Sequence, residues 1–144
     1  MNDSINEIIN CFQNELERTN IEDFYIIRYE RSGRLLLAGS FDFSYYHDVE
    51  IIFYDVSFIC CPGSTFTVNK LRLATNSEIE EVSRFMDGYE KDGFVICLED
   101  SIFNSKYFIA AYELKYKFQK VHYYLNGKLI EGEIISDWAK ENFK

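Results

Sequence analysis

The feature that most constrains this fold is a succession of short strand-like segments separated by turn signals. Ser32-Gly33 stands between two such segments, and Asn126-Gly127 stands between another two. Asn-Gly strongly favours a hairpin, because a type I′ turn needs φ > 0 at both central positions. Long crossover helices between successive strands, which parallel pairing would require, are absent from the pattern. The sequence therefore predicts an α+β fold with a mainly antiparallel, multi-stranded sheet. The predicted strands are 24–31, 34–43, 49–60, 66–74, 94–99, 106–118, 120–125 and 128–134.

Three helices are predicted around this sheet. Ser4 and Glu7 have the spacing of a capping box at an N-terminal helix, whose apolar positions recur with a helical period. Thr75 and Glu78 repeat that spacing ahead of a mid-chain helix with the apolar stripe Ile79, Val82, Phe85, Met86 and Tyr89. A short C-terminal helix is expected after Ser136.

Size and composition favour one domain over residues 1–144. The chain has 144 residues, 47% of them hydrophobic, which suffices for a core without a metal or a disulfide. The start of the sequence lacks the basic and apolar regions of a signal peptide, and no apolar run could span a bilayer. We therefore expect a cytoplasmic protein, with its four cysteines packed as free thiols.

Familiar catalytic signatures are missing. The sequence contains no glycine-rich nucleotide loop, no G-x-S-x-G elbow and no zinc-type spacing of Cys or His. We therefore expect no cofactor, no metal and no catalytic residues, and we favour a protein that is not an enzyme.

Two places in the sequence are candidate binding sites. The segment Tyr45-Tyr46-His47-Asp48 is predicted to be an exposed connection that combines aromatic and charged side chains. Asp55 stands in the predicted apolar strand 49–60, where a buried carboxylate is costly without a partner. We expect a structural explanation for Asp55, such as a β-bulge or a salt bridge to Arg28 or Arg72, with a functional role as the alternative.

Charge is the strongest functional hint. The net charge is −9, which disfavours nucleic acid and anionic membranes as partners. Residues 1–102 hold 19 acidic and 8 basic side chains, whereas residues 103–144 hold 5 and 7. Acids around the mid-chain helix could form a binding face for a basic protein. The proposed members of this face are Glu78, Glu81, Asp87 and Glu90.

The leading hypothesis is thus a non-enzymatic module, of the inhibitor or immunity type, that binds a basic protein through an acidic, Tyr-rich surface. One alternative is a small-molecule-binding domain or enzyme, with a Tyr-lined pocket that includes Asp55 or His47. Another is a self-associating structural protein, a homo-oligomer whose aromatic residues form the subunit interface.

Overall fold

A computed structural model describes residues 2–86, 93–124 and 129–136. The helices are α1 (Asn2–Glu17) and α2 (Asn76–Ser83). The strands are β1 (Asp23–Tyr29), β2 (Leu35–Ser40), β3 (Tyr46–Tyr54), β4 (Phe58–Cys60), β5 (Phe66–Thr67), β6 (Lys70–Leu73), β7 (Phe94–Asp100), β8 (Ser105–Ala111), β9 (Glu113–His122) and β10 (Ile134–Ile135). The predicted Asn126-Gly127 turn and the predicted C-terminal helix lie outside the described residues.

The strands form two sheets. The six-stranded sheet has the order β10-β9-β3-β2-β1-β5, and the four-stranded sheet has the order β4-β8-β7-β6. All pairs are antiparallel except β10 with β9. The predicted α+β class with a mainly antiparallel sheet is therefore confirmed.

Two long predicted strands bend from one sheet into the other. The segment 49–60 divides into β3 and β4 on either side of Asp55, and the segment 106–118 divides into β8 and β9 at Tyr112. The two bends are hydrogen-bonded to each other, because Tyr112 N donates to the Tyr54 carbonyl at 3.0 Å and Ser57 N to the Ala110 carbonyl at 2.9 Å. Strands that change sheets at a corner keep an apolar pattern through the bend. The prediction of one continuous strand in each segment was therefore wrong. The predicted strand 66–74 likewise divides, into β5 of the larger sheet and β6 of the smaller.

The predicted hairpin between β1 and β2 is confirmed, with a longer loop. Glu30 N donates to the Arg34 carbonyl at 2.9 Å, so three residues lie inside the turn. Gly33 adopts φ = 89°, as a three-residue hairpin loop requires at its last position.

The predicted antiparallel pairing of 128–134 with 120–125 was wrong. β10 pairs parallel to β9, with Ile134 opposite Val121 and Ile135 opposite His122. A turn before β10 redirects the chain: Glu133 N donates to the Ile130 carbonyl at 3.0 Å, and Gly132 adopts φ = 87°.

The main core contains inward-facing side chains of both sheets and the apolar face of α1. α1 contacts β6 of the smaller sheet and β9 of the larger one. Its Phe12 ring lies 5.2 Å from the Tyr116 ring and 5.6 Å from the Phe118 ring, between centroids. Because α1 begins at Asn2, Ser4 lies within the helix, and the predicted capping box at Ser4 was wrong.

α2 packs against the other face of the smaller sheet, where Val82 meets Val95 and Ala110. The predicted capping box of Thr75 with Glu78 is present in both directions. Phe85 follows the end of the helix and is 76% exposed, so its predicted place in the apolar stripe was wrong.

Candidate functional site

His47 is buried in β3, which corrects its predicted place in an exposed connection. Only 3% of the residue is accessible to solvent. Its Nδ1 lies 2.8 Å from the Tyr123 hydroxyl, and its Nε2 lies 2.8 Å from Glu50 Oε1. The β3–β9 register is irregular between His47 and Val49, and irregularities of this kind redirect side chains. Strand structure begins at Tyr46, three residues before the start of the predicted strand 49–60.

The two partners of His47 fix where its protons lie. A carboxylate oxygen can only accept, so Nε2 carries the proton that faces Glu50. Burial, with the nearby charges of Glu50 and Asp48, raises the pKa of Tyr123, so its hydroxyl stays protonated beside Nδ1. Both ring nitrogens of His47 therefore have hydrogen-bond partners within the chain.

The connection between β2 and β3 is held by polar hydrogen bonds to its backbone. Ser40 Oγ donates to the Tyr46 carbonyl at 2.6 Å and accepts from Asp42 N at 2.9 Å. Asp48 Oδ2 accepts from Phe41 N at 3.1 Å, and Asp42 Oδ1 accepts from Ser44 N at 3.0 Å. These bonds use the small polar and acidic side chains to shape the loop, so its aromatic side chains are not needed for that purpose.

The aromatic side chains in and near this connection comprise two ring pairs, Tyr45 with Tyr124 and Tyr25 with Phe43, and the exposed Phe41. We call these five residues the aromatic patch. Phe41, Tyr45 and Tyr124 are each more than half exposed. The Tyr45 and Tyr124 rings lie edge to face at 6.4 Å between centroids, and the Tyr25 and Phe43 rings do so at 6.1 Å. Exposed aromatic side chains in a group are typical of recognition surfaces.

Acidic residues surround the aromatic patch. Asp42 belongs to the same connection, Asp48 of β3 accepts a hydrogen bond from Phe41 N of that connection, and Asp23 lies opposite Ser40 at the start of β1, next to Glu22. No ion pair within the described part of the chain involves any of these four acids. Among the basic side chains, Lys120 places its Nζ 4.4 Å from the centroid of the Tyr46 ring, which adjoins Tyr45 in the sequence. Acidic side chains that make no ion pair within the described residues therefore lie near the aromatic patch.

Asp55 does not belong to this cluster, and its predicted burial was wrong. It is exposed at the bend between β3 and β4, where it adopts φ = 53°. The predicted salt bridges are absent from the described residues, since Arg28 pairs with Glu30 and Arg72 pairs with Glu78 and Glu99. Asp tolerates the left-handed conformation better than most residues, so the bend explains its presence.

Glu78 serves the internal structure around α2. It accepts from Arg72 at 2.7 Å and from the backbone N of Thr75 at 2.8 Å, and Lys106 Nζ lies 3.5 Å away. The hydrogen bond from Arg72 lowers the pKa of Glu78 to about 2. Glu81 is exposed on α2, while Asp87 and Glu90 lie outside the described residues. Of the predicted acidic face, Glu78 is thus occupied by internal partners and Glu81 remains open to solvent.

A cleft of about 210 Å³ opens beside His47. Its lining residues are Ile27, Arg28, Glu30, Arg34, Leu36, His47, Glu50, Val121, Ile134, Ile135 and Ser136. The described lining includes no Tyr and not Asp55, which corrects the expectation of a Tyr-lined pocket with respect to both. Sequence reasoning missed Arg28, Arg34 and Glu50, because their convergence depends on the pairing of β1, β2 and β3. It also left out Phe41 and Phe43, although the density of aromatic residues in 41–46 was a usable signal.

Within the described ranges, no group of three His, Cys, Asp or Glu residues could hold a metal ion. The described helices include none long and apolar enough to cross a membrane.

All four thiols are free; Cys97 is buried as expected, whereas Cys11 and Cys60 are exposed. Burial raises the pKa of the half-buried Cys61 to about 12.

Comparison with protein-family models, curated protein sequences and solved structures finds no match to this chain.

Proposed function

We propose that the protein is a non-enzymatic binding module whose aromatic patch engages a basic surface of another protein. The observation that carries this proposal is the exposure of Phe41 and Tyr45 on a connection whose backbone is already hydrogen-bonded, with the exposed ring of Tyr124 beside Tyr45. Aromatic side chains on a preorganised loop bind with a small loss of conformational entropy. Tyr is also enriched among the residues that dominate binding energy at interfaces.

The charge of the partner follows from the acids around the patch. Glu22, Asp23, Asp42 and Asp48 lack ion-pair partners within the described residues, and the whole chain carries a net charge of −9. A basic partner would be attracted to this surface, and complementary charge speeds encounter. The same acids oppose the pairing of two copies of the patch, which argues against self-association through this surface.

The test begins with affinity capture from the organism that makes the protein, followed by calorimetry with the purified captured protein. The variant is Tyr45→Ala with Tyr124→Ala. The matched control is Tyr29→Ala, because Tyr29 is 54% exposed and lies at the opposite end of β1. We expect the double variant to bind at least about tenfold more weakly, since such anchors contribute roughly 2 kcal/mol or more. The control should bind as the unmodified chain does.

A second comparison tests the role of charge. We expect Asp42→Lys to slow association and to reduce the salt dependence of the rate, whereas Glu80→Lys on α2 should leave both nearly unchanged. Binding that is insensitive to the double Tyr variant would overturn the proposal. If the captured protein bound the Asp42→Lys variant as well as the unmodified chain at low salt, the part of the proposal that makes the partner basic would be wrong.

A further inference from the structure

The cleft beside His47 is lined by charges of both signs. Its charged lining residues are Arg28 and Arg34, which both lie near the carboxylate of Glu30, Glu30 itself, and Glu50 on β3. On the six-stranded sheet, Arg28 is opposite Leu36 and Leu36 is opposite Ile52, two residues from Glu50 on β3. This pairing puts the Cα atoms of Arg28 and Glu50 about 12 Å apart. Both side chains line the cleft.

The two arginines retain unused donors. Arg28 Nη1 lies 3.6 Å from Glu30 Oε1, and Arg34 Nη1 lies 3.8 Å from the same oxygen. Both distances exceed the range of a hydrogen bond between nitrogen and oxygen. Within the described residues, neither guanidinium donates a side-chain hydrogen bond, so their paired N–H groups can donate to the carboxylate of a ligand.

The carboxylate of Glu50 is held in place by His47, which is itself hydrogen-bonded to Tyr123. Glu50 Oε1 lies against His47 Nε2 at 2.8 Å, and His47 is itself held by the Tyr123 hydroxyl. The side chain of Glu50 is 24% exposed. This support fixes the carboxylate of Glu50 where it can accept an N–H bond from a cation in the cleft.

Apolar side chains fill the remaining wall. Ile27, Leu36, Val121, Ile134 and Ile135 contribute five aliphatic groups to the lining. The cleft volume of about 210 Å³ equals the space of about seven water molecules, which suits a small molecule. A pocket with an apolar wall and a few converging polar groups is the usual form of a ligand site.

We propose that this cleft binds a free apolar α-amino acid, with its carboxylate on Arg28 and Arg34 and its ammonium group on Glu50. Charges of both signs in the lining match a zwitterion better than a simple anion, which Glu30 and Glu50 would repel. The aliphatic residues then contact the ligand's side chain. This inference does not depend on the aromatic patch or on a protein partner.

The experiment is calorimetric titration of the whole chain with L-valine, L-leucine, L-methionine and L-phenylalanine, each at millimolar concentration. Isocaproate and isoamylamine serve as matched probes, because each resembles leucine with one charged group removed. We expect at least one amino acid to bind saturably, and isocaproate and isoamylamine each to bind roughly tenfold or more weakly than leucine, since a charged hydrogen bond contributes about this factor.

The variants Arg28→Gln and Glu50→Gln should each weaken binding of the amino acid by roughly tenfold. Arg31→Gln is the control, because Arg31 belongs to the same hairpin loop and does not line the cleft. The Glu50→Gln variant retains a side-chain oxygen that can accept a hydrogen bond from His47. Thermal unfolding checks that each variant folds. The absence of binding by all four amino acids would overturn the proposal. So would isocaproate binding as tightly as leucine with no effect of Glu50→Gln, since that result describes a simple anion site.

Discussion

Individual residues explain where sequence reasoning about the candidate site succeeded and failed. Tyr45 is exposed in the connection, as the sequence predicted, whereas its role in binding stays a prediction. His47 was misplaced, because its burial depends on Tyr123, which lies 76 residues further along the chain. Asp55 was misread for the same reason. The carboxylate of Asp55 stands in an apolar run, so the sequence predicted its burial. Its exposure follows from the bend between β3 and β4, which forms together with the bend between β8 and β9.

Gly33 gives a residue-scale prediction. It adopts φ = 89°, and a Cβ atom there would lie 3.3 Å from both Asp55 Cα and Val56 N, which are backbone atoms. We expect Gly33→Ala to lower the free energy of unfolding by about 1–2 kcal/mol, because the backbone strain cannot be relieved by moving a side chain. Urea denaturation measures the effect. Gly63→Ala is the control, since no atom lies within 4 Å of its added Cβ. Equal midpoints for the two variants would contradict the prediction.

At the scale of elements, α2 was predicted well because its signals are local. Thr75 and Glu78 are three residues apart, and each satisfies a backbone N–H of the other. The end of α2 was predicted less well, since apolar residues continue the helical period past Ser83. The end of a helix depends on whether the apolar side chains that follow can pack against the rest of the protein. Phe85 is left exposed in the described part of the chain.

Glu78 makes the stability of this element depend on pH. Its pKa is lowered from 4.5 to about 2 in the folded chain, chiefly by the hydrogen bond from Arg72. The carboxylate therefore stabilises the fold above pH 4.5, and this contribution is lost as the pH falls toward 2. We expect Glu78→Gln to lower the free energy of unfolding by roughly 1–2 kcal/mol at neutral pH, with solvent screening limiting the loss.

The difference between Glu78→Gln and the unmodified chain should shrink across the same acid range in urea denaturation. Glu80→Gln is the matched control, because Glu80 is exposed on the same helix. Its free energy of unfolding should follow that of the unmodified chain at every pH. A difference at Glu78 that stayed constant down to the acid limit would show that the charge of the carboxylate is not what stabilises α2.

At the scale of the whole molecule, the sequence predicted the class of the fold but not its division into two sheets. The segments 49–60 and 106–118 each keep their apolar pattern through a bend, so the sequence alone suggests one strand in each case. The hydrogen bonds between Tyr112 and Tyr54 and between Ser57 and Ala110 form only when both segments bend together. Pairing across such distances in the chain leaves no local signal.

α1 joins the two sheets, which leads to a prediction for the stability of the whole chain. Phe12 is 1% exposed and packs against aromatic rings of β9, while α1 also contacts β6 of the smaller sheet. We expect Phe12→Ala to lower the free energy of unfolding by about 3–4 kcal/mol, because it leaves a cavity in the shared core. That is a large fraction of the roughly 5–15 kcal/mol typical of whole proteins, so the urea midpoint should fall sharply.

Phe85→Ala is the control for Phe12→Ala, because it removes the same side chain from a position that is 76% exposed. Its effect should remain within about 0.5 kcal/mol. If α1 were only attached to the surface, the two variants would have similar midpoints, and hydrogen exchange would show α1 amides opening before those of either sheet. A fold in which α1 belongs to the core instead requires that α1 and both sheets lose protection together. The Phe12 variant then lowers the protection of all three by the same free energy, since one cooperative core supports them.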